Sequence, residues 1–150
     1  MVHVSDSIVV STPAETVFET LDDPETHATI TPSISNIRNV TPRDNGGKEL
    51  EYTYRLAGVP IDGRLVQTIH EPPTQHVFAM EGGLTGSITL DIEPVDEGTQ
   101  VTYSAEYAVP GRVISRVIEP MVRWYNEREL ESTLENLDTL LEDHETLSAE

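Results

Sequence analysis

The sequence predicts an α+β fold in which a seven-stranded, curved antiparallel sheet wraps around a long C-terminal helix, with two short helices after the first strand. Apolar and polar residues alternate with a period of two between residues 48 and 109, which is typical of strands with one buried face. Leucines at helical spacing follow near the C-terminus. The chain suits a single domain, 1–150, because no repeat, low-complexity tract or Pro/Gly/Ser-rich linker divides it.

Two short helices are predicted after the first strand, in the stretch STPAETVFETLDDPETHATITPSI, residues 11–34. Thr12 and Glu15 have the spacing of a capping box, with Pro13 at the first helical position. One apolar face at helical spacing is formed by Val17, Phe18 and Leu21. Pro24 ends this helix, and a second short helical piece returns the chain to the sheet. We expect the first helix to lean on the C-terminal helix rather than to carry chemistry.

A consistent set of hairpin pairings places the apolar residues of five central strands on one face. Residues that pair across an antiparallel hairpin lie on the same face of the sheet. The predicted pairs are Leu56–Ile61, Tyr52–Leu65, Leu65–Met80, Gln67–Phe78, Ile69–His76, Met80–Leu84, His76–Ile88, Ile92–Tyr103 and Ile88–Tyr107. A slip of one residue would invert every side chain of a strand, so the agreement supports an antiparallel meander. The stretches VHVSDSIVV and SISNIRNV add two less regular strands.

The C-terminal stretch PGRVISRVIEPMVRWYNERELESTLENLDTLLEDHE predicts a long helix that Pro120 kinks or divides. A single leucine stripe is formed by Leu130, Leu134, Leu137 and Leu141. Another group lies opposite this stripe at about 100° per residue, and it consists of Met121, Trp124 and Tyr125. Three roles for this second group stay open: core contact around a kink, a lid or mouth over a cavity, or an interface between subunits.

The inner face of the predicted sheet is the candidate binding surface. Its residues are Tyr52, Tyr54, Leu65, Gln67, Ile69, His76, Phe78, Met80, Ile88, Leu90, Tyr103 and Tyr107, and Met121, Trp124 and Tyr125 of the helix complete the candidate ligand-binding set. Apolar walls with a few polar groups are typical of small-molecule cavities, although a filled core has the same composition. Gln67 interrupts an apolar row, so its amide needs a partner: a tyrosine hydroxyl, the backbone, or a ligand or water.

No arrangement in the sequence predicts catalysis, a metal site or a cofactor. His76 is expected to be the sole histidine on the inner face, and no acid shares that face of the meander to orient it. His70 is expected on the outer face. The five histidines lack zinc-ligand spacing, and neither a phosphate-binding loop nor a nucleophile elbow is present.

The charge of the chain is strongly negative. Twenty-seven Asp and Glu residues outnumber nine Lys and Arg residues, which gives a net charge of −18 and disfavours binding to nucleic acid or anionic membranes. Acids spread over every segment, with Lys48 the single lysine, are typical of cytoplasmic proteins adapted to high salt; a basic partner is the alternative. No apolar run approaches a membrane span, and no signal peptide is expected. The oligomeric state is left open.

The order of elements is that of the helix-grip fold, and two stretches carry a more specific likeness. STPAETVFETLDDPETHATITPSI resembles the opening signature of the START/birch-allergen-like SRPBCC superfamily, in its polyketide cyclase/dehydrase branch, and RELESTLENLDTLLE is similar to its closing helix. A tryptophan common in that signature is replaced here by Ile30, which we place at the cavity mouth.

The resemblance implies a cavity between the sheet and the C-terminal helix that binds a lipid, an isoprenoid or a polyketide-like molecule. Transport, storage or sensing of a hydrophobic small molecule is therefore the expected function. A cyclase or dehydratase acting in the same cavity, and a protein-interaction module without a ligand, are the two alternatives.

Overall fold

The computed structural model describes residues 2–56, 58–108 and 119–149, and within the last range it describes the side chains of residues 127–142. The strands are β1 (Val2–Val10), β2 (Ile34–Pro42), β3 (Lys48–Leu56), β4 (Val59–Glu71), β5 (Gln75–Gly82), β6 (Thr85–Val95) and β7 (Gly98–Ala108). The helices are α1 (Ala14–Asp22), α2 (Pro24–Ile30) and α3 (Glu119–Ala149). The predicted α+β fold and its order of elements are confirmed.

All seven strands form one antiparallel sheet in the order β1-β7-β6-β5-β4-β3-β2. The apolar residues of its inner face form one core with those of the helices. β2 is irregular as expected, because its pairing with β3 shifts at two places. Asn36 and Asn39 have φ angles of 52° and 54° near these shifts, a left-handed conformation that asparagine tolerates better than most residues.

Three of the predicted hairpin registers are wrong by two residues. The observed pairs are Tyr54–Ile61 and Leu50–Leu65, Met80–Gly86 and His76–Leu90, and Ile92–Val101 and Ile88–Ala105. A shift of two residues leaves each side chain on its predicted face, because the side-chain period of a strand is also two. The alternation of residue types therefore predicted the buried face, whereas the length and position of each turn set the register.

A bulge in β4 changes the face of two residues. The predicted pairs Leu65–Met80 and Gln67–Phe78 are confirmed, but the register then shifts between Gln67 and Ile69. His70 consequently pairs with His76, and Ile69 pairs with Val77 rather than with His76. Ile69 is 40% exposed, so its predicted place on the inner face is wrong. A bulge inserts one unpaired residue, which reverses the alternation beyond it.

The capping of the first short helix and the packing of both short helices differ from the prediction. No side chain caps α1, whose N-cap residue is Pro13, and the carbonyl of Thr12 instead accepts a hydrogen bond from the Thr99 hydroxyl at 2.6 Å. α1 packs against β6 and β7, whereas α2 makes the contact with α3. The expected support by the C-terminal helix therefore belongs to α2. The Asn136 amide strengthens that contact by donating to the carbonyl of Ile30 at 2.9 Å.

The leucine stripe of α3 is buried, as its spacing predicts, and it joins the core through Leu130, Leu134, Leu137 and Leu141. Pro120 is the second residue of α3, where proline is tolerated, and any bend of the chain before residue 119 lies outside the described residues. Met121, Trp124 and Tyr125 belong to α3, but their side chains also lie outside the described residues. Within the described part of the chain, no helix combines the length and the apolar character needed to cross a membrane.

Candidate functional site

A cavity of about 60 Å³ lies between the inner face of the sheet and α3, and we call it the first cavity. Its described lining consists of Val4, Thr31, Ile34, Tyr52, Tyr54, Leu65, Met80, Leu84, Ile88, Tyr103, Ala105, Tyr107, Glu129, Leu130 and Thr133. Most of these side chains are apolar, and the polar ones are chiefly tyrosines. An apolar wall with a few polar groups suits a small molecule that bears one or two polar atoms.

The Tyr52 hydroxyl is the most informative polar group of this wall. Tyr52 is only 2% exposed, and its hydroxyl has no hydrogen-bond partner among the described residues. Burial raises the pKa of Tyr52 to about 12, so the phenol stays protonated near neutral pH. Gly63 pairs with Tyr52 across β3 and β4, and a Cβ at this glycine would lie 2.7 Å from the hydroxyl oxygen. The glycine therefore makes room for the ring.

Glu129 brings a carboxyl group to the same cavity from α3. The hydroxyl of Ser33 donates to the Glu129 carboxylate at 2.6 Å. Burial, followed by the charge of Glu129 and then the influence of Tyr52, raises the pKa of Tyr103. Glu129 was not among the predicted site residues, because it lies on the helix and the prediction covered acids on the strands alone. Its spacing holds the signal, since it precedes Leu130 of the leucine stripe and lies one turn before Thr133.

A second cavity of about 30 Å³ lies beside the first, and we call it the second cavity. Its described lining consists of Leu21, Asp22, Pro24, His27, Ile34, Ile37, Lys48, Leu50, Tyr52, Leu65, Gln67, Phe78, Ile88 and Tyr103. Five of these residues, Ile34, Tyr52, Leu65, Ile88 and Tyr103, line both cavities. The two tyrosine rings therefore belong to the wall that separates them.

A group of imidazoles lies next to the second cavity, and we call it the histidine cluster: His27, His70 and His76 with Asp22 and Gln67. His76 is fully buried, and its Nδ1 accepts a hydrogen bond from the Gln67 amide at 2.7 Å. Its Nε2–H donates to the carbonyl of Phe18 at 3.3 Å, while its ring stacks on the Phe18 ring at 3.9 Å between centroids. Both ring nitrogens are thus occupied, and the neutral imidazole is the form that fits.

The other end of the Gln67 amide is occupied as well. Its Oε1 accepts from the backbone N–H of Lys48 at 3.2 Å, which links β4 to the start of β3. A Cβ at Gly47 would lie 2.7 Å from that oxygen, so the close approach requires glycine. Of the partners considered for Gln67 from sequence, the backbone is confirmed, with His76 as a second partner that was not foreseen. The interruption of the apolar row therefore has a structural explanation.

The bulge in β4 brings His70 into this cluster, so the prediction that His76 is the sole inward-facing histidine is wrong. His70 Nε2–H donates to Asp22 Oδ1 at 3.1 Å, and the Lys48 ammonium lies 3.5 Å from the same oxygen. His27 Nε2–H donates to the carbonyl of Leu21 at 2.8 Å. Among the described residues, no three His, Asp or Glu side chains come close enough to hold a metal ion together.

Burial also lowers the pKa of two imidazoles of the cluster, His76 and His27. It lowers the pKa of His76 to about 4, against the smaller raising effects of the Phe18 carbonyl and the Asp22 charge. Burial likewise lowers the pKa of His27. His76 is therefore neutral at pH 7, and its nitrogens are engaged by an amide and a carbonyl rather than by a carboxylate. These contacts join α1 to the sheet. They also occupy both ring nitrogens of His76, so neither nitrogen is free to act as a general base.

The structure brings most of the predicted site residues to the two cavities. The first cavity is lined by Tyr52, Tyr54, Leu65, Met80, Ile88, Tyr103 and Tyr107, and the second also by Gln67 and Phe78. Leu90 is buried in the core and His76 in the histidine cluster, and neither lines a cavity. Ile69 lies on the outer face. Ile30 is buried and lines neither cavity, so its expected place at a mouth is wrong.

Comparison with known proteins gives one family and many similar folds. Residues 1–142 match the model of a family described as polyketide cyclase/dehydrase and lipid transport. No curated protein matches the chain.

Three solved structures illustrate the shared fold. A protein from Thermus thermophilus has 17% identity and a TM-score of 0.78, over 95% of this chain and 98% of its own. A START superfamily protein from Mycobacterium smegmatis has 19% identity and a TM-score of 0.73, over 94% and 97% of the two chains. The Zhui aromatase/cyclase from a Streptomyces species has 16% identity and a TM-score of 0.71, over 93% of each chain.

Proposed function

The chain belongs to the polyketide cyclase/dehydrase and lipid transport family, and on that premise we propose that it binds a small hydrophobic or amphipathic molecule in the first cavity. The candidate ligands are a lipid, an isoprenoid or a polyketide-like compound, held for transport, storage or sensing. The observation that carries this proposal is the buried Tyr52 hydroxyl, which has no partner among the described residues and belongs to a side chain that lines an apolar cavity.

A buried hydroxyl without a hydrogen bond destabilises a folded protein by about 1–3 kcal/mol. Such a hydroxyl is tolerated where a bound molecule or an ordered water forms the missing hydrogen bond. The Tyr52 phenol is protonated, so it offers a donor as well as an acceptor. A ligand that carries one hydroxyl or carbonyl oxygen on an apolar body would suit both the Tyr52 hydroxyl and the apolar lining of the first cavity.

The size of the first cavity restricts the ligand. Its volume of about 60 Å³ is well below that of an engineered protein cavity of about 150 Å³ that binds benzene. A slim aliphatic chain or part of a ring system fits this space better than a complete polycyclic compound. A longer ligand would have to displace the rings of Tyr52 and Tyr103, which separate the first cavity from the second.

A second candidate function, cyclisation or dehydration of an apolar substrate, is favoured by one observation. Glu129 and two protonated phenols line the same cavity, and a carboxylate with nearby phenols is a common general base and acid combination. On this hypothesis Glu129→Gln would abolish turnover of a bound substrate while binding persists. Retained turnover in that variant would exclude Glu129 as the base.

The net negative charge of the chain disfavours two classes of partner, nucleic acids and anionic membranes. With a net charge of −18 we expect neither nucleic acid nor an anionic membrane surface to bind, and we expect the protein to act in the cytoplasm. A weakening of binding to DNA-coated beads as salt is raised would be the signature of the opposite behaviour.

Native mass spectrometry of gently purified protein, followed by solvent extraction, tests the binding proposal. We expect a bound species of defined mass that organic solvent releases. Ala105→Leu fills the first cavity and should remove this species. The matched control is Ala79→Leu, which makes the same change in β5, where Ala79 is half-buried and lines neither cavity. Equal ligand content in both variants would contradict the proposal.

A further inference from the structure

Two tyrosines that come from distant strands lie between the first cavity and the second. Tyr52 belongs to β3 and Tyr103 to β7, and β4, β5 and β6 lie between these strands in the sheet. Both side chains line both cavities. Burial, then the charge of Glu129 and then Tyr52 raise the pKa of Tyr103, so the two phenols lie near enough to influence each other. The two rings therefore approach each other across the inner face of the sheet, and we call them the tyrosine partition.

The rest of the boundary between the cavities is aliphatic. Apart from the two tyrosines, the described residues that line both cavities are Ile34 of β2, Leu65 of β4 and Ile88 of β6. These side chains give the two cavities a shared apolar surface beside the partition. Loss of one ring of the partition would therefore join the first cavity, of about 60 Å³, to the second, of about 30 Å³.

The second cavity suits a hydrocarbon chain, because its polar side chains are bound within the protein. Gln67 is bonded to His76 and to the backbone of Lys48, the Lys48 ammonium donates to the carbonyl of Asp22 at 3.1 Å, and His27 donates to the carbonyl of Leu21. The other side chains that line only this cavity are apolar: Leu21, Pro24, Ile37, Leu50 and Phe78.

A ligand that outgrows the first cavity would have to push a ring of the partition aside. Tyr52 is 2% exposed and lies against β4, where a Cβ at Gly63 would approach its hydroxyl oxygen to 2.7 Å. A buried aromatic side chain removes about 150–250 Å² from water, which is the area of several methylene groups. One or two added methylenes therefore gain less by burial than the displacement of such a ring loses.

We propose that the tyrosine partition limits the length of the ligand, so that the first cavity accepts short aliphatic alcohols and gains nothing from a longer chain. Tyr103 is the specificity-determining residue, because its ring closes the passage to the second cavity, whereas Tyr52 also supplies the hydroxyl that we expect the ligand to bind. This inference rests on the proposed function, because it specifies the size of the ligand for the same cavity.

Calorimetric titration with two alcohols that differ by two methylenes, hexan-1-ol and octan-1-ol, tests the inference. Each methylene that becomes buried should raise the affinity about fourfold. We expect the wild-type protein to bind octan-1-ol less than about twofold more tightly than hexan-1-ol, because the added methylenes find no space. In Tyr103→Ala this ratio should rise to at least about tenfold, since both methylenes then enter the second cavity. Tyr103→Leu is the variant to use if the alanine variant fails to fold, and it should raise the ratio in the same direction.

Ile37→Phe shows whether the second cavity provides the added space. Ile37 is half-buried and lines only the second cavity, so a larger side chain there fills that cavity and leaves the first unchanged. Alone, this substitution should leave the ratio at its wild-type value. Combined with Tyr103→Ala, it should return the ratio to about threefold or less.

The outcomes separate this inference from the proposed function. Saturable binding with the same ratio in the wild type and in both Tyr103 variants would overturn the partition and leave the binding function standing. A raised ratio that Ile37→Phe does not lower would overturn it as well, because the longer chain would then lie outside the second cavity. The absence of saturable binding of either alcohol to the wild-type protein would overturn both proposals.

Discussion

The histidine cluster and the first cavity are both lined by buried polar groups, but they use these groups in opposite ways. In the cluster, the Gln67 amide and both nitrogens of His76 find partners within the chain. Beside the cavity, the Tyr52 hydroxyl finds none among the described residues. Polar groups that satisfy one another stabilise the fold, whereas a buried hydroxyl without a partner in the described chain is available for a ligand.

This contrast assigns different roles to side chains that the sequence pattern placed on one binding surface. His76 and Gln67 join α1 to β4, β5 and the start of β3, and we expect their loss to lower stability. We expect the Tyr52 hydroxyl to contribute less to stability and its loss to change ligand binding. The following predictions test this division.

Replacing His76 by alanine should produce the largest loss of stability. The change removes a fully buried ring that stacks on Phe18, and it leaves the Gln67 amide without its acceptor. We expect the free energy of unfolding to fall by about 3–5 kcal/mol, from the cavity and the unsatisfied amide together. Denaturant unfolding at constant salt measures the change.

His3→Ala is the matched control, because His3 is exposed on β1. Its effect should stay within about 0.5 kcal/mol. A loss below about 1 kcal/mol for His76→Ala would mean that the cluster does not anchor α1.

Acidification should weaken the fold through the same residue. The pKa of His76 is about 4 in the folded protein and near 6.5 in the unfolded chain, so the unfolded state binds more protons between these values. The stabilising contribution is therefore fully present above about pH 6.5 and is lost as the pH falls to about 4. A shift of this size corresponds to about 3 kcal/mol.

His27, whose pKa burial also lowers, adds an effect of the same sign. Comparing the wild type with His76→Gln across this pH range isolates the contribution of His76, because the many carboxylates titrate in both proteins. Parallel stability curves for the two proteins would contradict the assigned burial of a neutral imidazole.

Two glycines provide a matched pair of variants, one beside each region. A Cβ at Gly47 would press on Gln67, and a Cβ at Gly63 would press on Tyr52, each with a closest approach of 2.7 Å. We expect Gly47→Ala to reduce stability by about 1–3 kcal/mol, because a shift of Gln67 would strain its hydrogen bonds to Lys48 and His76. Gly63→Ala should reduce stability less, since the ring of Tyr52 can move into the cavity.

The same two glycine variants should also differ in their affinity for a ligand. Gly63→Ala should weaken hexan-1-ol binding by about tenfold, equivalent to about 1.4 kcal/mol, because Tyr52 then occupies ligand space. Gly47→Ala should leave the affinity of the folded fraction unchanged. If Gly47→Ala weakened binding and Gly63→Ala did not, the ligand would bind beside the histidine cluster rather than in the first cavity. Denaturant unfolding and calorimetry of the same samples provide both readings.

Tyr52→Phe should have the smallest effect on stability. It removes a hydroxyl that has no partner among the described residues, but it also leaves a small space behind. These effects oppose each other, so the ligand-free protein should keep or gain stability, by about 1 kcal/mol at most. The affinity for hexan-1-ol should fall, because the variant lacks the hydroxyl that we expect the ligand to bind. Thermal unfolding with and without the alcohol measures both changes, and a destabilised ligand-free variant would reveal an internal partner.

The sequence predicted the buried face of the sheet well and the pairing of its strands less well. Period-two alternation fixes which side chains of β3 to β7 point inward, and this survives a register error of two residues. The bulge after Gln67 broke the rule, because both Ile69 and His70 are compatible with either face and neither marks an extra residue.

The residues of the candidate site likewise fall into two groups, those that the strand pattern predicted and those that it did not. The tyrosines of the first cavity follow directly from the strand pattern, so they were predicted. Glu129 was missed because it comes from the helix, where an acid beside a leucine stripe is usually solvated. The partners of Gln67 and His76 depend on the positions of Lys48 and Phe18, which are distant in sequence, and only the folded chain brings them together.

Methyl NMR of the wild-type protein titrated with hexan-1-ol tests the central claim, that the first cavity is the binding site, most directly. Leu84, Ala105 and Leu130 line only the first cavity, whereas Leu21 and Leu50 line only the second. We predict saturable chemical-shift changes at the first group and much smaller changes at the second. Saturable changes confined to Leu21 and Leu50, or none at any of these methyl groups, would contradict it.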